Sequence, residues 1–333
     1  MPCPNLQALP PPPRGRTGWP WTEACDSLPG EMSNGRSWPR ITIVTPSFNQ
    51  GRFLEETLRS VLLQNYPNLE YFVLDGGSTD GSVEILKRYE PWLTYWVSER
   101  DGGQSAAINR GLRMGTGSHA TWINSDDMLC QRALYTHVTT YDLAEDVIDI
   151  GDCVNIDVVG NVLSTHRGRI QTFEEFLHVR SVWQSGRYLC QPEVLFPLPL
   201  VMSVGALNED NHYCMDYELW GRLLLAGATL RYTEIPFGMF RHHEAQKTRQ
   251  IVQQTLSTLD VAEALLGMAA GLDLRTKEEI ASELRQYRDE FPELTWRNSG
   301  RLARLGLPRS IVKGIRYLKR AGMILGSSPR SVE

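Results

Sequence analysis

The sequence predicts an α/β fold, a doubly wound and mostly parallel sheet with helices on both faces. Between residues 40 and 130, a segment of strand character, a polar loop and a segment of helix character follow one another three times before a fourth strand. This alternation is typical of parallel sheets, in which each strand returns through a helix. The first strand, at 41–45, is a continuous β-branched run, which indicates burial on both faces of the sheet.

The other elements of this half follow the same pattern. The helix after the first strand carries apolar residues at helical spacing from residue 53 to residue 62. Further strands are predicted at 71–74, about 93–97 and 121–123. Polar loops leave the four strands at 46–49, 75–82, 99–104 and 124–127. Because ligands bind beyond the carboxyl ends of such strands, the four loops predict one ligand site at that edge.

The fourth of these loops is acidic and contains Asn124, Ser125, Asp126 and Asp127. Two adjacent carboxylates at a strand tip repel each other, and a bound divalent cation would remove that repulsion. Hard cations such as Mg²⁺ take carboxylate oxygens together with phosphate oxygens and water. Taken alone, the loop is explained equally well as a polar turn or a helix N-cap.

The second half of the chain offers one more candidate acid. Short strands at 147–150 and 158–163 and a short helix at 173–179 precede a clear helix at 215–223. On that helix Asp216 shares a face with Leu219, Trp220 and Leu223, so it points toward the core or a cleft. The alternative is an acidic residue that only favours the positive end of the helix dipole.

A later strand carries two neighbouring histidines on opposite faces. Arg241 and His243 share one face with Phe237 and Met239, whereas His242 lies on the other. The two histidines therefore cannot both face the same ligand. A surface histidine on an edge strand explains His243 as well as a functional role does.

Composition limits the classes of function. The formal net charge of −5 argues against nucleic acid as the main partner. The six cysteines are scattered without a CxxC pair, which indicates neither a zinc site nor a disulfide framework and fits a reducing cytoplasm. We find no apolar run of about 18 residues and therefore expect no transmembrane helix.

Three segments are expected along the chain. Residues 1–39 form a Pro-rich arm that we expect to be disordered or loosely packed. We expect residues 40–248 to form the main domain, in two halves at 40–130 and 131–248. Residues 249–333 form a helical extension with a basic, amphipathic end at 301–322. That end can lie on an anionic membrane surface, or it can be a solvated helix packed on the domain.

Several linked motifs occur in order over about residues 39–248. They are TPSFNQG, VLDGGSTDG, SERDGGQSAAINRG, NSDD, MDYELW and RHHEAQKT. In this series the chain resembles the family 2 glycosyltransferases, which are inverting enzymes with the GT-A fold that use nucleotide-diphospho-sugars. The form of the motifs looks like the branch that builds bacterial surface polysaccharides.

The resemblance implies that the half at 40–130 binds the nucleotide and the half at 131–248 binds the acceptor, and it implies roles for individual residues. For the nucleotide it implies contacts by Pro46, Phe48, Asp75, Asp101, Asn124 and Ser125, with Pro46 and Phe48 beside the uracil. Asp75 matches the first acid of the family's base-binding loop, whose second acid is replaced here by Gly76. It implies that Asp126 and His243 bind an Mg²⁺ or Mn²⁺ ion and that Asp216 is the catalytic base. It also implies that Gln191 and Trp220 contact the acceptor.

The function implied is metal-dependent, inverting transfer of a sugar from a nucleotide-sugar, a UDP-sugar by preference, to a saccharide acceptor. We expect that acceptor to be lipid-linked and the pathway to make a polysaccharide or O-antigen. One alternative is a sugar-1-phosphate nucleotidyltransferase, but the loop after the first strand has no Lys or Arg before Arg52 to hold a triphosphate. The other is a non-catalytic sugar-binding scaffold, which would have no use for Asp126, Asp216 and His243 together.

Overall fold

A computed structural model of the chain describes residues 4–302, with side chains as far as Phe291. The chain divides into two compact units after Gly271. Of the second unit the structure describes little beyond one long helix. The first unit therefore extends past residue 248, where we expected the main domain to end, because a further helix belongs to it.

Within residues 4–302 the strands join into one sheet. They are β1 (Ile41–Ser47), β2 (Leu69–Asp75), β3 (Tyr95–Ser98), β4 (His119–Trp122), β5 (Met128–Leu129), β6 (Val147–Ile156), β7 (Val162–His166), β8 (Val194–Pro197) and β9 (Thr229–Arg241). Their order is β3-β2-β1-β4-β8-β6-β9-β5, and β7 pairs with β6 as an outer strand. Strands β3, β2, β1 and β4 are mutually parallel, so their carboxyl ends lie at one edge. The predicted parallel half-sheet is confirmed.

Helices cover both faces of this sheet, as predicted. In the first unit the helices are α1 (Gly51–Leu62), α2 (Ser82–Tyr89), α3 (Gln104–Met114), α4 (Ala133–Thr140), α5 (Phe173–Leu177), α6 (Leu198–Ser203), α7 (Met215–Leu225) and α8 (Ile251–Met268). The second unit separately contains α9 (Leu274–Leu302). Ile41 and Ile43 of β1 pack in one core cluster with Leu54 of α1. The alternate residue Val44 faces α3, where a side chain at Gly111 would come within 2.6 Å of it.

The second half of the sheet is mixed and differs locally from prediction. β8 runs antiparallel to both β4 and β6, whereas β9 runs parallel to β6. The strand that we predicted at 158–163 begins only at Val162. Before it, the Asp157 carboxylate accepts hydrogen bonds from the backbone N–H groups of Val159 and Asn161, each at 2.9 Å, which closes a turn there.

The N-terminal arm has almost no helix or strand but is firmly packed, so the prediction of a disordered or loosely packed arm is wrong for its described residues. Leu9, Trp21 and Trp38 are each at most 5% exposed. The buried Arg59 of α1 donates hydrogen bonds to arm carbonyls, those of Pro10, Pro20 and Trp21. The arm is therefore held by buried aromatic rings and by backbone carbonyls that accept hydrogen bonds, and not by regular secondary structure.

The C-terminal end is described only in part. Residues 251–268 and 274–302 are helical, in agreement with the predicted helical extension. The basic segment from residue 303 onward, which carries the expectation of membrane contact, lies outside the described residues. No helix among residues 4–302 combines the length and apolar character needed to cross a membrane.

Candidate active site

The acidic loop after β4 lies at the edge where the parallel strands end, and its two aspartates have different surroundings. Asp127 is 1% exposed. One of its carboxylate oxygens accepts from the backbone N–H of Arg241 at 2.9 Å, and the other accepts from the Asn124 amide at 3.1 Å. Burial, and secondarily the neighbouring charge of Asp126, raises the pKa of Asp127 well above its ordinary value. Asp127 is therefore an internal support of the loop.

Asp126 instead faces His243, which lies two residues after the end of β9. Its Oδ2 lies 2.8 Å from Nε2 of His243, whose ring packs at 4.9 Å from the ring of Phe53. No group of three or more metal-ligating side chains occurs among residues whose side chains are described. One carboxylate and one imidazole suit a divalent ion that takes its remaining ligands from phosphate oxygens and water. Asp126 and His243 therefore fit the expected Mg²⁺ or Mn²⁺ ion, with phosphate oxygens and water as its other ligands.

A chain of amides connects the acidic loop to two other loops. The Gln104 amide donates to Asn124 Oδ1 at 2.8 Å, and Asn124 donates in turn to Gln191 Oε1 at 3.2 Å. Gln191 donates to the Trp122 carbonyl at 2.6 Å, and the Lys247 ammonium donates to Gln104 Oε1 at 2.9 Å. Asn124, which we expected at the nucleotide, thus has most of its hydrogen bonds within the protein. Gln191, expected at the acceptor, lies beside Asn124.

The loop after β2 is organised by Asp75. This residue is 1% exposed, and its carboxylate accepts from the backbone N–H of Ser78 at 2.8 Å and from the hydroxyls of Ser78 and Ser98 at 2.6 Å. These bonds fix the conformation of the loop. Asp75 also lines a cavity of about 250 Å³ together with Glu99, Asp101 and Arg110. Because its carboxylate accepts three hydrogen bonds from within the protein, the main role of Asp75 is to fix the conformation of the loop after β2.

Phe48 and Asp101 both lie close to Gly76. A Cβ built at Gly76 would be 3.3 Å from the Phe48 ring and 3.3 Å from both carboxylate oxygens of Asp101. The Phe48 side chain is 61% exposed, which is unusual for a large apolar ring. The absence of a side chain at Gly76 therefore lets the exposed ring and the carboxylate both lie close to its backbone.

Asp216 lies in the first turn of α7 and is half-buried. Its carboxylate accepts from the backbone N–H of Tyr217 at 2.8 Å. Burial raises the pKa of Asp216 above its ordinary value of 3.8. The Ser105 hydroxyl contacts Met215 Sδ at 2.9 Å, which joins the start of α7 to the start of α3, where Gln104 meets the acidic loop.

The structure corrects the predicted contacts of three residues. Trp220 is 1% exposed and stacks on Trp122, with ring centroids 5.5 Å apart, so the prediction that it contacts the acceptor is wrong. Its ring instead packs α7 against β4, one turn after Asp216. Ser125 is 3% exposed and its carbonyl accepts from the Thr57 hydroxyl at 3.0 Å, and Pro46 is buried within β1. Ser125 and Pro46 are therefore buried beneath the surface of the site and do not line it.

Sequence reasoning missed two buried charged residues that hold the site. Arg241 is fully buried and donates from Nε to the Asp126 carbonyl at 2.8 Å and from its guanidinium to Glu56 Oε2 at 2.8 Å. The signal for Glu56 was available, since it lies in α1 between Leu54 and Leu58 in a helix that is buried over most of its length. A carboxylate in such a helix needs a charged partner.

Comparison with known proteins identifies the family of part of the chain. Residues 42–197 match the family model described as Glycosyl transferase family 2. This segment is a family 2 glycosyltransferase domain, and the chain is a glycosyltransferase. An uncharacterized glycosyltransferase of Rickettsia typhi is 25% identical over 73% of this chain and 74% of its own length. A putative teichuronic acid biosynthesis glycosyltransferase of Bacillus subtilis, TuaG, is 34% identical over 27% of this chain and 36% of its own length.

The fold of this glycosyltransferase also has a counterpart among solved structures. It is similar to residues 1–349 of TarS from S. aureus, solved in complex with UDP-GlcNAc. The TM-score is 0.57 at 15% identity, over 78% of this chain and 80% of the other. The expected GT-A fold with a helical C-terminal part is thereby confirmed.

Proposed function

We propose that this family 2 glycosyltransferase transfers a sugar from a UDP-sugar to a saccharide acceptor by a single displacement that inverts the anomeric carbon. The observation that carries the proposal is the 2.8 Å contact between Asp126 and His243 at the edge where the parallel strands end. A carboxylate and an imidazole brought together there, with no competing third ligand among the described side chains, suit a metal shared with a diphosphate.

Asp126 and His243 would hold an Mg²⁺ or Mn²⁺ ion. When bound, that ion would neutralise negative charge on the departing diphosphate. Asp127 would keep Asp126 in place while remaining internal, because both of its oxygens are bonded to the protein. Phe48 and Asp101, both close to Gly76, would border the nucleotide base, and Asp75 would fix the conformation of the loop after β2.

Asp216 would serve as the base that takes the proton of the acceptor hydroxyl. Its raised pKa makes the carboxylate a stronger base than an exposed aspartate, which favours proton abstraction near neutral pH. Its hydrogen bond from the Tyr217 N–H goes to one oxygen, Oδ1. A single base without a protein nucleophile leads to inversion, since no covalent glycosyl-enzyme is formed.

We further propose that the acceptor is a lipid-linked saccharide and that the product belongs to a surface polysaccharide. The support is the similarity to TuaG, whose name assigns it to teichuronic acid biosynthesis, together with the form of the motifs. Gln191, next to Asn124, would lie on the acceptor side of the site.

The experiment is a screen of UDP-glucose, UDP-galactose and UDP-N-acetylglucosamine with and without Mn²⁺, in which UDP and pyrophosphate are both measured. We expect Mn²⁺-dependent release of UDP from one donor and its loss in Asp216→Asn. Release of pyrophosphate would instead identify a nucleotidyltransferase. A protein that neither releases UDP nor is stabilised against thermal unfolding by UDP and Mn²⁺ would be a scaffold.

A further inference from the structure

Arg241 contacts both aspartates of the acidic loop. Its backbone N–H donates to Asp127 Oδ1 at 2.9 Å, and its side-chain Nε donates to the Asp126 carbonyl at 2.8 Å. The residue is fully buried, and it lies two positions before His243. The same short segment therefore positions the backbone of Asp126 and the imidazole that faces its carboxylate.

The direction of the Arg241 guanidinium is set by one carboxylate. Its other nitrogens donate to Glu56 Oε2 at 2.8 Å and to the carbonyls of Asp157 and Val158 at 3.3 Å. Glu56 is the acidic side chain paired with it among the described residues. Because the guanidinium is a rigid planar fork, a rotation that loosens the bond to Glu56 also loosens the bond to Asp126.

Glu56 is in turn held by the N-terminal arm. Its second oxygen, Oε1, accepts from the indole N–H of Trp21 at 3.0 Å, and the Arg16 guanidinium lies 3.9 Å away. Glu56 is 4% exposed and Trp21 is 5% exposed. The arm thus saturates the oxygen of Glu56 that Arg241 does not use. Without that donor, the carboxylate can turn away from Arg241.

We infer that Trp21 is a positioning residue for the metal site and acts on Asp126 through Glu56 and Arg241. The inference rests on the proposed function, because it concerns the divalent ion that Asp126 and His243 would hold. The arm lies before the residues matched by the family model, which begin at residue 42. The arm therefore both packs on the core and positions a ligand of the proposed metal ion.

The test compares Trp21→Phe with Trp38→Phe. Both tryptophans are buried arm residues, but the indole N–H of Trp38 donates to the Pro29 carbonyl at 2.8 Å, within the arm and without contact to Glu56. Binding of Mn²⁺ in the presence of UDP is measured by electron paramagnetic resonance of the free ion, and thermal unfolding is measured in parallel. Glu56→Gln, which keeps the shape of the side chain but removes its charge, is the second variant.

We expect Trp21→Phe to raise the half-saturating Mn²⁺ concentration by about three- to tenfold, because only part of the effect of one hydrogen bond to a carboxylate reaches the ion through Glu56 and Arg241. Glu56→Gln should raise it at least as much, whereas Trp38→Phe should leave it unchanged with a similar fall in Tm. An unchanged Mn²⁺ curve for Trp21→Phe, or an equal shift for Trp38→Phe, would overturn the inference. A wild-type protein that binds no Mn²⁺ with UDP would overturn the proposed function itself.

Discussion

Replacing Asp216 by asparagine tests the proposed base with two readouts that move in opposite directions. The substitution keeps the size of the side chain and an oxygen that can accept from the Tyr217 N–H, but it removes the ability to take a proton. Loss of a positioned base costs about 10²- to 10⁴-fold in rate, or about 2.7–5.4 kcal/mol of transition-state stabilisation. We expect kcat to fall by that factor while the affinity for UDP and Mn²⁺ stays unchanged.

The same substitution should increase the free energy of unfolding, although it lowers kcat. Burial raises the pKa of Asp216 in the folded state above the ordinary 3.8, so the folded protein binds the proton more tightly than the unfolded chain does. Folding stability therefore falls as the pH rises through the interval between the two pKa values. At neutral pH the charged carboxylate destabilises the fold, and a neutral asparagine removes that cost. We expect Asp216→Asn to have a higher Tm than wild type at pH 7.

The assay is UDP release over a pH range, with thermal unfolding of both proteins at each pH. The stabilisation by Asp216→Asn should shrink as the pH approaches 4, where the wild-type carboxyl is itself neutral. Wild-type activity should decline on the acid side at a pH above the ordinary aspartate range. A variant that keeps more than a tenth of the wild-type kcat, or that is less stable than wild type at pH 7, would refute the assignment of Asp216 as a buried base.

Two further substitutions test the donor side of the site. His243→Ala removes the imidazole that lies 2.8 Å from Asp126 and should raise the Mn²⁺ concentration for half-maximal UDP release about 10- to 100-fold, whereas an unchanged Mn²⁺ dependence would exclude a metal role. Phe48→Ala removes a ring that is 61% exposed, so Tm should stay constant while the Kd for UDP, measured by calorimetry, rises about 5- to 150-fold from lost base stacking. An unaltered Kd would show that this ring does not contact the nucleotide.

The parallel half of the fold was predictable because its signals are local. The β-branched run of β1 and the apolar spacing of α1 specify a strand and a helix without reference to any distant residue. Parallel pairing then requires the carboxyl ends of β1 and β2 to meet at one edge. The position of the site followed from that requirement.

The arm was not predictable in the same way. Its prolines indicate an open chain, but its order depends on Arg59, a residue of α1 that binds the carbonyls of Pro10, Pro20 and Trp21. Such bonds join positions far apart in the sequence and leave no periodic pattern. The tryptophans at 19, 21 and 38 were the available signal, since large aromatic rings seldom remain in a disordered segment.

Individual site residues show the same limit. The helical spacing of Asp216 and Trp220 placed both on one buried face of α7, but spacing does not distinguish a cleft from a core. The stack of Trp220 on Trp122 makes its part of that face core, whereas Asp216, one turn earlier, is half-buried and carries a raised pKa. The resemblance implied that Asn124 contacts the nucleotide, and its partner Gln104 could not be identified from the sequence.

The central claim is that Asp126 and His243 hold a metal-bound diphosphate in the same cleft that Asp216 faces. A crystal structure with Mn²⁺ and UDP tests it most directly, because the anomalous scattering of manganese locates the ion independently of the model. We expect the peak within coordination distance of the Asp126 carboxylate and of a diphosphate oxygen, with the Asp216 carboxyl lining the adjoining acceptor space. A manganese peak remote from Asp126, or an Asp216 side chain separated from the diphosphate by protein, would contradict the account.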